Sequence, residues 1–228
     1  MRQPPPTRAP ARRSPLPALA LFSLALLGLA ACGLSTRPYL LVRSFSLEIP
    51  PTAGASPALS AQKPRGVVLV SPIPPPATYE SKKLVYRLSA NEYTQDYYSE
   101  FYTPPARAVA DSLTEAFNAA GLPYLFTRSQ GVKAPDYALE IFLAEFHGDL
   151  RAPGEIRATV AMTVAFNDLR AANPRLLFTR KYARSLWVAP RTAGDIPPDL
   201  VVGGLVEALR QIAGDTLVDA REALRVRS

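Results

Sequence analysis

Glu155-Ile156-Arg157-Ala158-Thr159-Val160-Ala161-Met162-Thr163-Val164-Ala165-Phe166-Asn167 is the stretch that decides the fold. Ile156, Ala158, Val160, Met162, Val164 and Phe166 fall on one side of an extended chain, and Glu155, Arg157, Thr159, Thr163 and Asn167 on the other. That period of two is the mark of a half-buried strand. Tyr137 to Phe146, long and mostly apolar, precedes it. Leu176 to Val188 follows it after a turn-rich connection from Asn167-Asp168 to Asn173-Pro174. Three long strands in succession predict a sheet as the centre of the molecule.

Working outward, Tyr124 to Thr127 reads as a shorter strand, and Val67 to Val70 as a fully covered one stopped by Ser71-Pro72 and Pro74-Pro75-Pro76. Tyr39 to Leu47 alternates after Pro38, before Pro50, Pro51, Pro57 and Pro64 break the pattern. Leu84 to Leu88 and Glu92 to Tyr98 read as a strand pair around Ser89-Ala90-Asn91. Thr103-Pro104-Pro105 predicts a helix start, with the hydroxyl as cap and proline where its missing N–H costs nothing. Val109, Leu113, Phe117 and Ala120 then follow at helical spacing, Asn118 faces away, and Gly121 supplies the stop. A closing helix opens at Asp195 to Pro198, with Val202, Leu205, Leu209, Ile212, Thr216 and Ala220 as its stripe. Its Gly203, Gly204 and Gly214 each cost about 1 kcal/mol relative to alanine, so packing must hold it.

The amino-terminal region has a different character. Arg2, Arg8, Arg12 and Arg13 precede an apolar run of eleven residues, Leu19 to Leu29, and Ala30-Ala31 stand directly before Cys32, the chain's one cysteine. Eleven residues are too few for a membrane-spanning helix, which takes roughly 20. The arrangement resembles the bacterial lipobox, which implies a signal peptide over 1–31, diacylation of the Cys32 sulfur, cleavage before it, and a third acyl chain on the new amino terminus. Each buried methylene adds about 0.8 kcal/mol of membrane affinity, so two or three chains hold durably. An ordinary secretory signal with a chance cysteine is the competing reading. Gly33 lacks the aspartate that resembles an inner-membrane retention signal, which predicts the outer membrane, periplasmic face.

Removing residues 1–31 takes away four arginines and no acid, so the formal net charge falls from +7 to +3. No block of Lys and Arg calls for nucleic acid. With Cys32 acylated, no thiol remains for a disulfide. The remaining 197 residues suit one domain. Residues 32–38 read as the lipidated tether and 39–228 as the domain.

Six stretches in order carry a resemblance to a known family: Tyr39-Leu40-Leu41, Val67-Val68-Leu69-Val70, Leu84-Val85-Tyr86-Arg87, Tyr97-Tyr98, Pro104-Pro105 and Tyr137-Ala138-Leu139. Together with the lipobox, this resembles the ABC-type transport auxiliary lipoproteins, including the lipoprotein of the paraquat-inducible lipid transport system. Where that family often has tryptophan ahead of the proline pair, this chain has Phe101-Tyr102-Thr103. The resemblance implies a mixed β-sheet of six or seven strands with two long helices packed on it, α/β in the mixed-sheet (α+β) sense. It also implies a partner bearing a mammalian-cell-entry (MCE) domain, ABC transporter subunits, and phospholipids or related apolar molecules as cargo, with a homo-oligomer as a further expectation. A scaffold lipoprotein that helps assemble an envelope machine, without lipid traffic, is the alternative.

Catalytic chemistry is thin. One histidine, His147, without a Gly-x-Ser-x-Gly elbow, gives a serine triad a single candidate base, and a lone histidine is more often a surface or strand-end residue. Glu140 and Glu145 lie five apart, which sends them to opposite faces of a regular strand. No cysteine or histidine cluster suits a metal, and no phosphate-binding Gly-x-x-x-x-Gly-Lys loop is present, so no cofactor is expected and ATP hydrolysis is assigned to another subunit. Tyr86, Arg87, Tyr97, Tyr98, Phe101 and Tyr102, with Tyr93 nearby, form the candidate partner or lipid surface. The competing reading is cross-strand packing for the aromatics, and for Arg87 a local ion pair with Glu92 or Asp96.

Overall fold

The computed structural model describes residues 41–50, 63–129, 131, 134–191 and 196–225. Cys32, the signal segment, the 32–38 tether, Tyr39, Leu40 and Asp195 lie outside them. Eight strands and two long helices follow in the order β1 (Arg43–Phe45), β2 (Val67–Ile73), β3 (Lys83–Arg87), β4 (Tyr93–Phe101), α1 (Pro105–Ala119), β5 (Leu125–Thr127), β6 (Tyr137–Asp149), β7 (Glu155–Asp168), β8 (Arg175–Pro190) and α2 (Pro198–Arg225). A short 3-10 turn, Ala77–Tyr79, sits between β2 and β3.

All the strands form one mixed sheet with β6 as its spine. β7 runs antiparallel along one side of β6, and β8 antiparallel along β7. On the other side β6 is shared. Its first half pairs parallel with β2, from Val68 opposite Tyr137 to Ile73 opposite Phe142, and its end pairs parallel with β3, Tyr86 opposite Gly148. β5 extends the β2 wing, while β4 and then β1 extend the β3 wing.

Both helices pack on one face, and the alternation of β7 explains why. Ile156, Ala158, Val160, Met162, Val164 and Phe166 are all fully buried, as the period of two requires. α2 lays Val202, Leu205, Leu209, Ile212, Thr216 and Ala220 against β7 and β8, and α1 lays Val109, Leu113 and Phe117 against β2, β5 and β6. Four rings, Tyr124, Tyr137, Phe166 and Phe178, run through the core at centroid separations of 5.6–5.7 Å. Arg221 donates to the Ala120 carbonyl and ties the two helices together.

Three local expectations are corrected. Thr103 does not cap α1: Pro104 occupies the cap position without a side-chain hydrogen bond, and Pro105 opens the first turn. Within the described part of the expected strand, β1 stops at Phe45 short of Leu47, because β4, its parallel neighbour, ends at Phe101 opposite Phe45. Asn118 does not simply face away. Its amide accepts from the Phe126 N–H and donates to the Phe126 carbonyl, holding β5 to α1. Gly121, with φ of 68°, stops α1 in the left-handed conformation as expected.

A tyrosine bulge and a buried histidine as candidate functional site

β4 is where the expected surface residues gather, and its pairing with β3 is irregular. Lys83 lies opposite Glu100 and Val85 opposite Gln95, so the span from Gln95 to Glu100 faces only three residues of β3. The excess chain bulges out, and Tyr97 and Tyr98 sit on it. Three side chains hold the bulge. The Asp96 carboxylate accepts the Tyr98 N–H at 2.8 Å and the Tyr86 hydroxyl at 3.3 Å. Lys83 donates to the Tyr97 carbonyl at 3.3 Å, pairs with Glu100 at 2.9 Å, and lies 5.9 Å from the Tyr97 ring centre. Tyr97 and Tyr98 meet edge to face at 5.0 Å. Asp96 two residues before an amide it accepts from is a turn signature visible in sequence, whereas the contribution of Lys83 depends on register and left no local sign.

The six expected surface residues therefore divide. Tyr97, Tyr98 and Tyr102 are exposed. Tyr86 and Phe101 are buried and belong to the core. Tyr86 lies against Gly148, with burial raising its hydroxyl pKa, and Phe101 packs on Phe146 at 5.5 Å. Arg87 is engaged, though with neither Glu92 nor Asp96. It reaches Glu145 at 3.2 Å, donates to the carbonyls of Ser89 and Ala90, and stacks 5.3 Å from the Tyr93 ring centre.

That pairing exists because β6 carries a bulge between Leu143 and Glu145. Leu139, Ile141 and Leu143 face the helices before it and Phe146 after it, so Glu145 emerges on the same face as Glu140. The opposite-face expectation fails on that one extra residue. The two carboxylates still stand about 13 Å apart along the strand, too far to act as a pair. Glu140 instead bonds Asn167.

His147 lies on this second face two residues from the end of β6 and is completely buried, so it is a strand-end residue and not a surface one. Its Nδ1 hydrogen-bonds the Tyr79 hydroxyl at 2.8 Å, the Tyr79 ring stacks on it, and the Tyr93 ring meets it edge-on at 5.8 Å. Burial, aided by the Arg87 and Arg151 charges against an opposing effect of Asp149, pushes its pKa down to about 4. The imidazole is neutral and walled off by rings, and among the described residues Nε2 has no partner. No serine reaches it among the described hydrogen bonds, which leaves a hydrolytic triad without a nucleophile. Among the described residues no group of three or more His, Cys, Asp or Glu is placed to hold a metal, and no helix is long and apolar enough to cross a membrane.

A groove of about 630 Å³ lies between the Phe45–Pro50 segment and α1, with Glu48, Asp111 and Glu115 on its walls. Its acidic lining does not suit an anionic headgroup. Among the described residues the exposed tyrosines, the enclosed histidine and the separated carboxylates do not assemble into a catalytic set.

Comparison with known proteins agrees with this architecture. A crystal structure of a Xanthomonas campestris protein of the DUF330 family superposes with a TM-score of 0.61 at 19% identity, covering 80% of this chain and 99% of that one. A second crystal structure, of an uncharacterized protein, gives a TM-score of 0.57 at 13% identity over 78% of this chain and 99% of that one. At such identities the likeness establishes the fold. No curated protein sequence matches the chain. The sequence profile of the ABC-type transport auxiliary lipoprotein component matches residues 45–194, and the chain belongs to that family.

Proposed function

We propose that this chain is a non-enzymatic outer-membrane lipoprotein, acylated at Cys32 and facing the periplasm. It serves as an auxiliary component of an MCE-type ABC system that moves phospholipids or related apolar molecules between membranes. The observation that carries this reading is the family match over 45–194 downstream of Leu29-Ala30-Ala31-Cys32. Residues 1–31 are then the signal, 32–38 the tether and 39–228 the working domain, with Gly33 favouring the outer membrane. A neutral, enclosed His147 and separated carboxylates are compatible with a role in docking, and the energy source lies in a partner subunit, since the sequence lacks a phosphate-binding loop.

Extraction of the acylated protein in mild detergent tests the reading directly. An MCE-domain protein is expected to co-purify, and deletion of the gene is expected to weaken the outer-membrane barrier and phospholipid asymmetry. A normal barrier together with no MCE protein in the eluate would refute it.

A further inference from the structure

The flank of the sheet where the chain enters β1 carries an apolar patch that extends the exposed Tyr97–Tyr98 bulge beyond β4. Leu41 and Tyr97 expose 72% and 75% of their surface, and Val42 and Tyr98 are exposed beside them. The parallel register sets Arg43 opposite Ser99, so Leu41 and Val42 lead into β1 where Tyr97 and Tyr98 lead into the paired part of β4. An ion pair between Arg43 and Asp199 brings the start of α2 to the same flank, where Leu200 is 51% exposed. Five large apolar or amphipathic side chains, from the segment entering β1, from β4 and from the start of α2, thus lie about the β1–β4 edge of the sheet.

We propose that this patch, Leu41, Val42, Tyr97, Tyr98 and Leu200, seats the domain on the lipid surface to which Cys32 anchors it. The inference rests on acylation of Cys32. Leu41 is nine positions beyond that cysteine, so the patch lies at most roughly 32 Å from the anchor point along a fully extended chain. A tether so short gives an effective concentration on the order of millimolar, at which a contact too weak to bind alone is still occupied. Tyrosine suits the headgroup layer, with an apolar ring and a polar tip.

The charges of this flank favour a lipid occupant as well. Asp96 is held by the Tyr86 hydroxyl and the Tyr98 amide, Glu100 by Lys83, and Asp199 by Arg43. Glu100 and Asp199 are thus neutralised by cations, Asp96 is tied down by neutral donors, and Lys82 stands exposed next to Lys83 to offset its charge. The bulge that presents Tyr97 and Tyr98 is braced on both sides, so little ordering cost remains when it meets a surface.

The test uses the full acylated protein in vesicles of phosphatidylethanolamine and phosphatidylglycerol, free of other proteins. In a Trp187→Phe background, Tyr97→Trp places the sole tryptophan on the patch, and Leu176→Trp places it at the opposite end of the sheet. Brominated acyl chains are expected to quench the Tyr97→Trp emission at least twofold and to leave the Leu176→Trp emission unchanged. Mass spectrometry of Cys32 separates the two ways of failing. Acyl chains present with no quenching at Tyr97→Trp would overturn the seat and leave the anchor standing, whereas a bare thiol would overturn both. A blue shift that grows with protein concentration without quenching would assign the patch to a second copy instead, and equal quenching at both sites would show that the domain has no preferred seat.

Discussion

His147 shows how one buried group can set the acid response of the whole fold. Its pKa is pushed from 6.5 to about 4 chiefly because burial penalises the charged ring. Between those two values the unfolded chain takes up a proton that the folded chain refuses, so stability is full above about pH 6.5 and declines as acid is added toward pH 4. From pH 7 to pH 5 this group alone should remove about 2 kcal/mol. Replacing both partners, His147→Phe with Tyr79→Phe, avoids orphaning the tyrosine hydroxyl. Urea unfolding at pH 7 and pH 5 is expected to show a large drop in midpoint for the natural protein and a much smaller one for the double variant. Equal drops would mean that another group carries the titration. Below this window Asp149, whose pKa Arg151 lowers by direct hydrogen bonds, adds a loss of the same sign. None of this environment was legible in the sequence. His147 stands alone there, and the rings that enclose it come from Tyr79 and Tyr93, 68 and 54 positions earlier.

At the scale of elements, the sequence was readable wherever a period ran long enough. β6, β7, β8 and the stripes of α1 and α2 all appear where alternation or helical spacing put them. Single-residue irregularities were not readable. The bulge at Leu143/Glu145 reverses the face of every later residue in β6, and nothing in the local composition marks it. The same limit explains Arg87, whose partner depends on that reversal, and Tyr86 and Phe101, which look like their exposed neighbours until the register of β3 and β4 is known. The glycines of α2 make the point sharper, because the sequence assigns all three the same cost and the packing does not. A Cβ at Gly204 would meet the Ala158 Cβ at 2.7 Å and a Val188 methyl at 2.8 Å, whereas at Gly203 and Gly214 it would meet nothing within 4 Å. Gly204 lets α2 close onto β7 and β8; the other two only loosen the helix. Gly203→Ala and Gly214→Ala are expected to raise stability by about 0.5–1 kcal/mol each. Gly204→Ala is expected to lower it by about 1–3 kcal/mol through overpacking. Thermal unfolding distinguishes them by sign, and a stabilising Gly204→Ala would show that α2 sits further from the sheet.

For the molecule as a whole, the topology divides the sheet into a thick half and two thin wings. β7 is flanked along its length by β6 and β8 and covered by α2, so its amides can exchange with solvent only when the fold opens globally. β1 and β5 are three residues each at the outer edges of their wings, and such strands open locally at far lower free energy. Hydrogen exchange is therefore expected to rank β7 slowest, with β1 and β5 fastest. Asn118 tests whether the wings are independent of the centre. Its amide closes both backbone groups of Phe126, a pairing that substitutes for a further strand at that edge. Asn118→Ala removes two hydrogen bonds at a part-buried site, a loss of roughly 1–2 kcal/mol confined to the β5 wing. Exchange at Leu125, Phe126 and Thr127 should quicken about tenfold, while the amides of Ile156 to Phe166 keep their rates within the small change in global stability. Uniform acceleration across β5 and β7 would show instead that the sheet opens as one unit, and that the wings share the stability of the centre.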